Sequence, residues 1–180
     1  SKYIDSFIKE IESNNDKVIE IRRNKKKFKY FFKLIKLMKK EKFDIVHLHG
    51  SSSLLAIELF AAKISGIKTR IVHSHNTTCD HKVLNLILKP IFNFLTTYRL
   101  ACGVDAGKWL FGNYKFDVIR NGINVEKFDL NKNIRKRIRE ELNLEEFHVI
   151  GHVGSFNIQK NHNYLIDLFY ELNKKYSNYK

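Results

Sequence analysis

The 180-residue chain predicts an α/β fold built on a parallel sheet, and three observations carry that expectation. Strand-like runs, DIVHLH, TRIVHSH and HVIGHVG, alternate with longer stretches of helical period. With one Pro and eight Gly, the chain is poor in the residues that build successive tight hairpins. An apolar share of 43% is enough to enclose one sizeable core.

Residues 3–12 have helical spacing, Asn14-Asn15-Asp16 reads as a turn, and residues 17–21 read as a short strand. A basic helix is expected over about 26–40, where Phe28, Phe31, Phe32, Ile35 and Met38 recur at core spacing. Residues 44–49 form the next strand, Ser51 to Ser53 offer caps for a helix over 54–64, and Gly66 ends it. Residues 69–73 are a further strand. Right-handed crossovers between such strands make them parallel in one sheet.

Residues 83–97 are helical, with Pro90 as a kink or a boundary between two shorter helices. Next come a very short strand at 100–102, a helix over 105–110 capped by Asp105, and a strand over 116–120 closed by the Asn121-Gly122 turn. A charged helix over 133–142 leads to a new strand at 147–153 and a last helix from Asn161. The polar stretch between Asp129 and Glu146 is the expected linker. It gives domains of 1–145 and 146–180.

Composition narrows the function classes. Cys79 and Cys102 make no disulfide framework and suit a reducing compartment. The charged helical pattern after Ser1 does not resemble a secretory leader. Residues 83–98 come nearest to a membrane span, but Lys89-Pro90 and asparagines break them, and they fall short of the roughly 20 apolar residues needed. The formal charge is +14, and residues 22–42 hold eleven basic side chains against one acid. Such a field attracts phosphates, anionic lipid or nucleic acid. Lys29, Lys33, Lys36 and Lys40 share one helical stripe, which is either a solvated face or a surface for a membrane or an anionic substrate. Nucleic acid is the least favoured partner, because no aromatic reading motif is interleaved with the charge.

Ligands of parallel α/β sheets gather at the carboxyl ends of strands, and the polar clusters fall there. They are His47, His49 and Gly50; His73, Ser74, His75, Asn76 and Thr77; Arg120, Asn121 and Gly122; and Gly154, Ser155, Asn157 and Lys160. The pairs His47/His49 and His73/His75 have spacing two, which on a strand aims both rings of a pair to one side. With Cys79 and His81 they could supply four zinc ligands, yet no spacing matches a zinc signature, and alternation is expected to turn His47 toward a packed side. No metal and no cofactor is therefore expected. His73 reads as a hydrogen-bonding or charge-stabilising group near a substrate oxygen, against a structural histidine that ties loops together. The turn Gly151 to Ser155 before a helix start has a weak phosphate-loop character, to which Lys160 adds a charge. It matches neither GxGxxG nor GxxxxGK[ST].

Five segments in order, FDIVHLHGSSS, AAKISGIKTRIVHSHNT, ACGVDAGKWLFG, NGINVEKF and GHVGSFNIQKNH, resemble the retaining glycosyltransferases of the GT-B fold. The likeness is to the group called family 4, in its capsule and exopolysaccharide branch. The resemblance implies two Rossmann-like domains facing a cleft, with the acceptor held mainly by the first and a nucleotide-diphosphate sugar by the second. It implies transfer with retention of configuration, without a metal, to a polysaccharide precursor or lipid-linked acceptor at the cytoplasmic membrane face. On that resemblance His73 lies near the reacting sugar, Asn121-Gly122 borders the cleft, Gly154 lets phosphate approach and Lys160 holds it. Ser155 stands where an arginine is common, Arg120 where a proline is, and Asn124 where an aspartate is. The amino-terminal strand with its glycine-rich turn and most of the donor domain have no counterpart in the chain. It reads as a fragment, expected to be inactive alone and to expose a sheet edge open to self-association.

Overall fold

The structure is a computed structural model that describes residues 2–22 and 27–180. Arg23, Lys25 and Lys26 of the basic run therefore lie outside the described residues. The chain divides into two compact units, Ser1–Gly122 and Ile123–Lys180. The division falls ahead of the expected 145/146 boundary because the charged helix over 133–142 belongs to the second unit. Arg139 in that helix donates to the carbonyls of Leu144 and Phe147 and so ties the helix to the segment after it.

The first unit contains helices α1 (Lys2–Ser13), α2 (Lys27–Glu41), α3 (Ala56–Ile64), α4 (Lys82–Leu95) and α5 (Val104–Phe111). Its strands are β1 (Ile45–Gly50), β2 (Thr69–Ser74), β3 (Tyr98–Ala101) and β4 (Asp117–Val118). They form one sheet in the order β1-β2-β3-β4, and every pairing is parallel, as the sequence predicts. Alternation then decides which side is packed. Val46, Leu48 and Val72 turn to one face. There Met38 of α2, Leu59, Ala61 and Ala62 of α3, Phe92 and Leu95 of α4, and Leu110 and Phe111 of α5 close over them in two clusters. Helices α2 to α5 therefore cover the same side of the sheet. The residues between, Ile45, His47 and His49 of β1 and Ile71 and His73 of β2, belong to the opposite side.

Several local expectations change. Residues 17–21 form no strand, and Val18 and Ile19 are exposed. Residues 147–153 form only an isolated bridge, His148 to Tyr179, with Lys180 donating to the His148 carbonyl at 2.9 Å. Apolar alternation specifies a face, but a strand also needs a neighbour for its N–H and C=O groups. Pro90 sits inside a continuous α4, where the carbonyl it leaves unpaired belongs to exposed Leu86. Asp105 lies in the first turn of α5 without capping it, since the cap position is Gly103. Phe28 and Phe32, expected in the core, are exposed; Phe31, Leu34, Ile35 and Met38 form the packed arc instead.

The second unit contains α6 (Lys132–Glu141) and α7 (His162–Lys175). Asn131 caps α6 by accepting from the backbone N–H of Asn133 and Ile134.

Gly107 in α5 is required by a close approach. A Cβ there would lie 2.2 Å from the Phe116 ring, which packs against the core. Gly107→Ala is expected to lower stability by about 1–3 kcal/mol through overpacking, despite the better helix propensity of alanine. Urea denaturation reads this as a lower midpoint, and Phe116→Leu in the same background should recover part of it. An unchanged midpoint would mean that the ring yields freely.

Candidate functional site

At the carboxyl ends of β1 and β2 the sheet gathers four histidines on the face away from the helices. The two-residue period puts His47 and His49 on one side of β1, with ring centroids 4.2 Å apart. The parallel register places His49 opposite His73, centroids 5.5 Å apart, and His75 lies 4.2 Å beyond His73. His47 is thus exposed and part of the cluster. Val46 and Leu48 take the packed side, so the expectation that His47 would face it is reversed.

His49 Nδ1 and His75 Nε2 are 2.8 Å apart and share a hydrogen bond. His73 is only 7% exposed, and its Nε2 is buried without a hydrogen-bond partner. The backbone of Ile119, just past β4, lies beside the same ring. Burial first, then the neighbouring imidazoles, holds His49 and His73 below the ordinary histidine pKa. Both rings therefore stay neutral to lower pH than a free imidazole. Ligand atoms of His47, His49 and His73 lie within 4.8 Å of one another, and neither Cys79 nor His81 joins them among the described residues.

The loops around this cluster are fixed from the helix layer. Ser53 donates its backbone N–H to Asn85 Oδ1 at 2.6 Å, Trp109 Nε1 donates to the Ser51 carbonyl at 2.9 Å, and Ser74 Oγ donates to the Ala106 carbonyl at 2.8 Å. Gly50 lets the chain turn close to Leu55, where a Cβ would sit 3.1 Å from its methyl group. Asn76 folds its side chain back onto the Thr77 N–H at 2.8 Å. Arg120, Asn121 and Gly122 are exposed and come directly after Ile119, so the strand end carrying them adjoins His73. Sequence reasoning misses Asn85 and Trp109. Asn85 has a readable signal, since a polar side chain inside the apolar run VLNLILKP needs a buried partner.

Within the second unit, Gly154, Ser155 and Lys160 come together around Asn157, a member of the same polar cluster whose role only the structure reveals. Its Nδ2 donates to Ser155 Oγ at 2.9 Å, and its Oδ1 accepts from the Lys160 N–H at 3.1 Å, capping the turn Ile158–Lys160. The Lys160 stem runs beside Gly154, where a Cβ would lie 3.3 Å from it. Asn161 precedes α7 at φ +44° and makes no side-chain cap bond, so it leaves the N–H groups of the first turn of α7 uncapped by its side chain. A lysine beside a glycine turn and an open helix start is an anion-binding arrangement.

On α2, Lys29, Lys33, Lys36 and Lys40 are all exposed. Phe28, 82% exposed, and Phe32, 64% exposed, lie between this stripe and the packed arc. No helix among the described residues is long and apolar enough to cross a membrane.

The first unit, a parallel sheet with polar loops at its carboxyl ends, is a Rossmann-like unit of the GT-B type. The chain belongs to the glycosyl transferase 4-like family, whose profile matches residues 5–101. It is 30% identical over 165 residues to the capsular polysaccharide biosynthesis glycosyltransferase CapH of Staphylococcus aureus, covering 84% of this chain and 42% of that one. It is 32% identical over 114 residues to an Escherichia coli UDP-Gal:alpha-D-GlcNAc-diphosphoundecaprenol alpha-1,3-galactosyltransferase, covering 57% of this chain and 29% of that one. The crystal structure of Anabaena HepE with UDP and glucose matches 91% of this chain and 47% of its own, with a TM-score of 0.66 and 16% identity. The chain thus spans less than half the length of these relatives.

Proposed function

We propose that the whole protein is a retaining glycosyltransferase of capsule or exopolysaccharide synthesis. It moves a sugar from a nucleotide-diphosphate donor to a glycan precursor on a lipid-linked acceptor at the inner face of the plasma membrane. Residues 1–145 are the acceptor side in this proposal and residues 146–180 the start of the donor side. Membership of the glycosyl transferase 4-like family over residues 5–101 carries it, and the E. coli relative named for a diphosphoundecaprenol acceptor indicates the acceptor chemistry. Leaving diphosphate develops negative charge and the sugar carbon positive charge, so catalysis needs fixed groups for both. Lys160, Gly154, Ser155 and the α7 start serve the diphosphate. His73 meets the sugar or acceptor, with His49, His75, Gly50, Asn76, Arg120, Asn121 and Gly122 lining the acceptor-side cleft. The transfer itself uses no metal or other cofactor. The direct test incubates the full-length protein with a panel of nucleotide sugars and a polyprenyl-diphosphate-linked sugar acceptor. Chain-extended lipid product is expected, and its absence with every donor overturns the proposal.

The α2 stripe supports peripheral binding to anionic lipid, because exposed phenylalanines beside lysines suit the headgroup boundary. Each lysine near such a surface contributes about 1 kcal/mol. Replacing Lys29, Lys33, Lys36 and Lys40 together by Glu is expected to abolish co-flotation with phosphatidylglycerol vesicles. Unchanged flotation, or retention on duplex DNA in place of vesicles, would favour the basic nucleic-acid module over the membrane surface. The free edge of β1, which pairs only with β2 among the described residues, offers a strand-pairing surface to the rest of the protein or to a second copy. Light scattering at rising concentration reads the second case.

A further inference from the structure

We propose that His47, His49 and His73 form a binding site for one divalent transition-metal ion of the zinc, cobalt or nickel class. The fixed ligand is His73. It is nine-tenths buried, and its Nε2 is a polar atom without a partner in a structure where such atoms are costly to leave unpaired. The Ile119 backbone lies beside the same ring, and with the ring proton on Nδ1 the lone pair sits on Nε2. Metal-binding histidines are oriented in this way by a carbonyl or carboxylate behind them. His49 has the corresponding arrangement in the tautomer whose Nδ1 donates to His75 Nε2, which leaves its own Nε2 as the acceptor.

The remaining closure is small and falls on mobile groups. Ligand atoms within 4.8 Å of one another must approach to about 3.4 Å around an ion with metal–nitrogen bonds near 2.1 Å. His47 and His49 are exposed and can turn about χ1 and χ2, while buried His73 stays. An all-imidazole set without a carboxylate favours zinc, cobalt, nickel or copper over magnesium, calcium or manganese. Three protein ligands leave one position open. No zinc spacing is visible in the sequence because the ligands come from two strands, joined by the register that puts His49 opposite His73. A bound ion occupies the ring that the transfer proposal turns toward substrate, so occupancy opposes transfer. The site itself rests on geometry alone and stands apart from that proposal.

The test uses the tag-free 180-residue chain, stripped with a chelator, titrated with Co(II) and followed by visible absorption. Zinc is then added and followed by calorimetry. One Co(II) per chain with the intense bands of four-coordinate cobalt is expected, lost on adding one equivalent of zinc. His47→Ala and His49→Ala should each weaken binding at least about tenfold, and His152→Ala, outside the cluster, should not. Because both substituted rings are exposed, circular dichroism should show both variants folded, which keeps the result readable even where His73→Ala unfolds. Absence of one-to-one binding by the wild type overturns the site. Full affinity retained in the His47 and His49 variants also overturns it, placing the ion elsewhere, at Cys79 and His81 for instance.

Discussion

Lys160→Ala in the full-length protein is expected to lower sugar transfer by about 10²-fold or more, the scale for loss of one group that meets charge developing in a transition state. The structure makes this a clean deletion. Lys160 is exposed, and its position is set through its backbone N–H by Asn157, a bond that alanine keeps. Its side chain makes no ion pair among the described residues, so no carboxylate is orphaned. In the proposed diphosphate site Ser155 stands where an arginine would share the charge, which makes Lys160 the group on which the proposal depends. Lys160→Arg should recover part of the rate because it keeps the charge with a different reach. Asn157→Ala should act in the same direction by loosening the turn. Steady-state kinetics with varied donor separates the effects, with kcat falling for a group serving the leaving diphosphate and KM alone rising for simple anchoring. Parental kcat and KM in Lys160→Ala would remove the lysine from the site.

Legibility in the sequence depends on which signals are local. The strands at 44–49 and 69–73 are readable because Val46, Leu48 and Val72 alternate with His47, His49 and His73, and the structure places them at Ile45–Gly50 and Thr69–Ser74. The carboxyl-end clusters derive from strand direction, so His49, His73 and His75 are legible as one polar edge, and the register brings them together. His47 escapes through a phase error of one residue, which in a strand reverses the face. The segment at 147–153 carries apolar alternation but no information about a partner, and it settles for a bridge to Tyr179. Pro90 is a weaker break than its residue type suggests, since an interior proline costs least where the carbonyl it orphans reaches solvent. Phe28 and Phe32 satisfy the same period as Phe31 and Ile35. Only the position of α3 against α2, marked by the Phe31–Phe60 stack at 5.9 Å, decides which are covered.

Phe92→Ala should produce the largest loss of stability in the first unit, about 3–5 kcal/mol. Phe92 is fully buried and packs with Ala56, Leu59, Val72, Leu95, Leu110 and Phe111, its ring stacked 6.0 Å from Phe111. Phe111 in turn lies 6.0 Å from Phe116, so removal of one ring exposes a chain of aromatic contacts to a cavity. The backbone of α4 cannot collapse freely into that space. Asn85 at its start holds the loop after β1, and Thr96 past its end bonds back to the Phe92 carbonyl at 2.8 Å. A cavity that cannot close is the costly kind. Against a total stability of roughly 5–15 kcal/mol, such a loss leaves the unit near its folding threshold. The only tryptophan, Trp109, packs against the same core and reports on this unit alone, so its fluorescence in urea separates the first unit from the second. Phe94→Ala, two residues on but exposed, should change the stability by no more than about 0.5 kcal/mol. Equal, small shifts in both variants would mean that α4 does not close the core through Phe92, and the placement of α4 over β2 would fall with it.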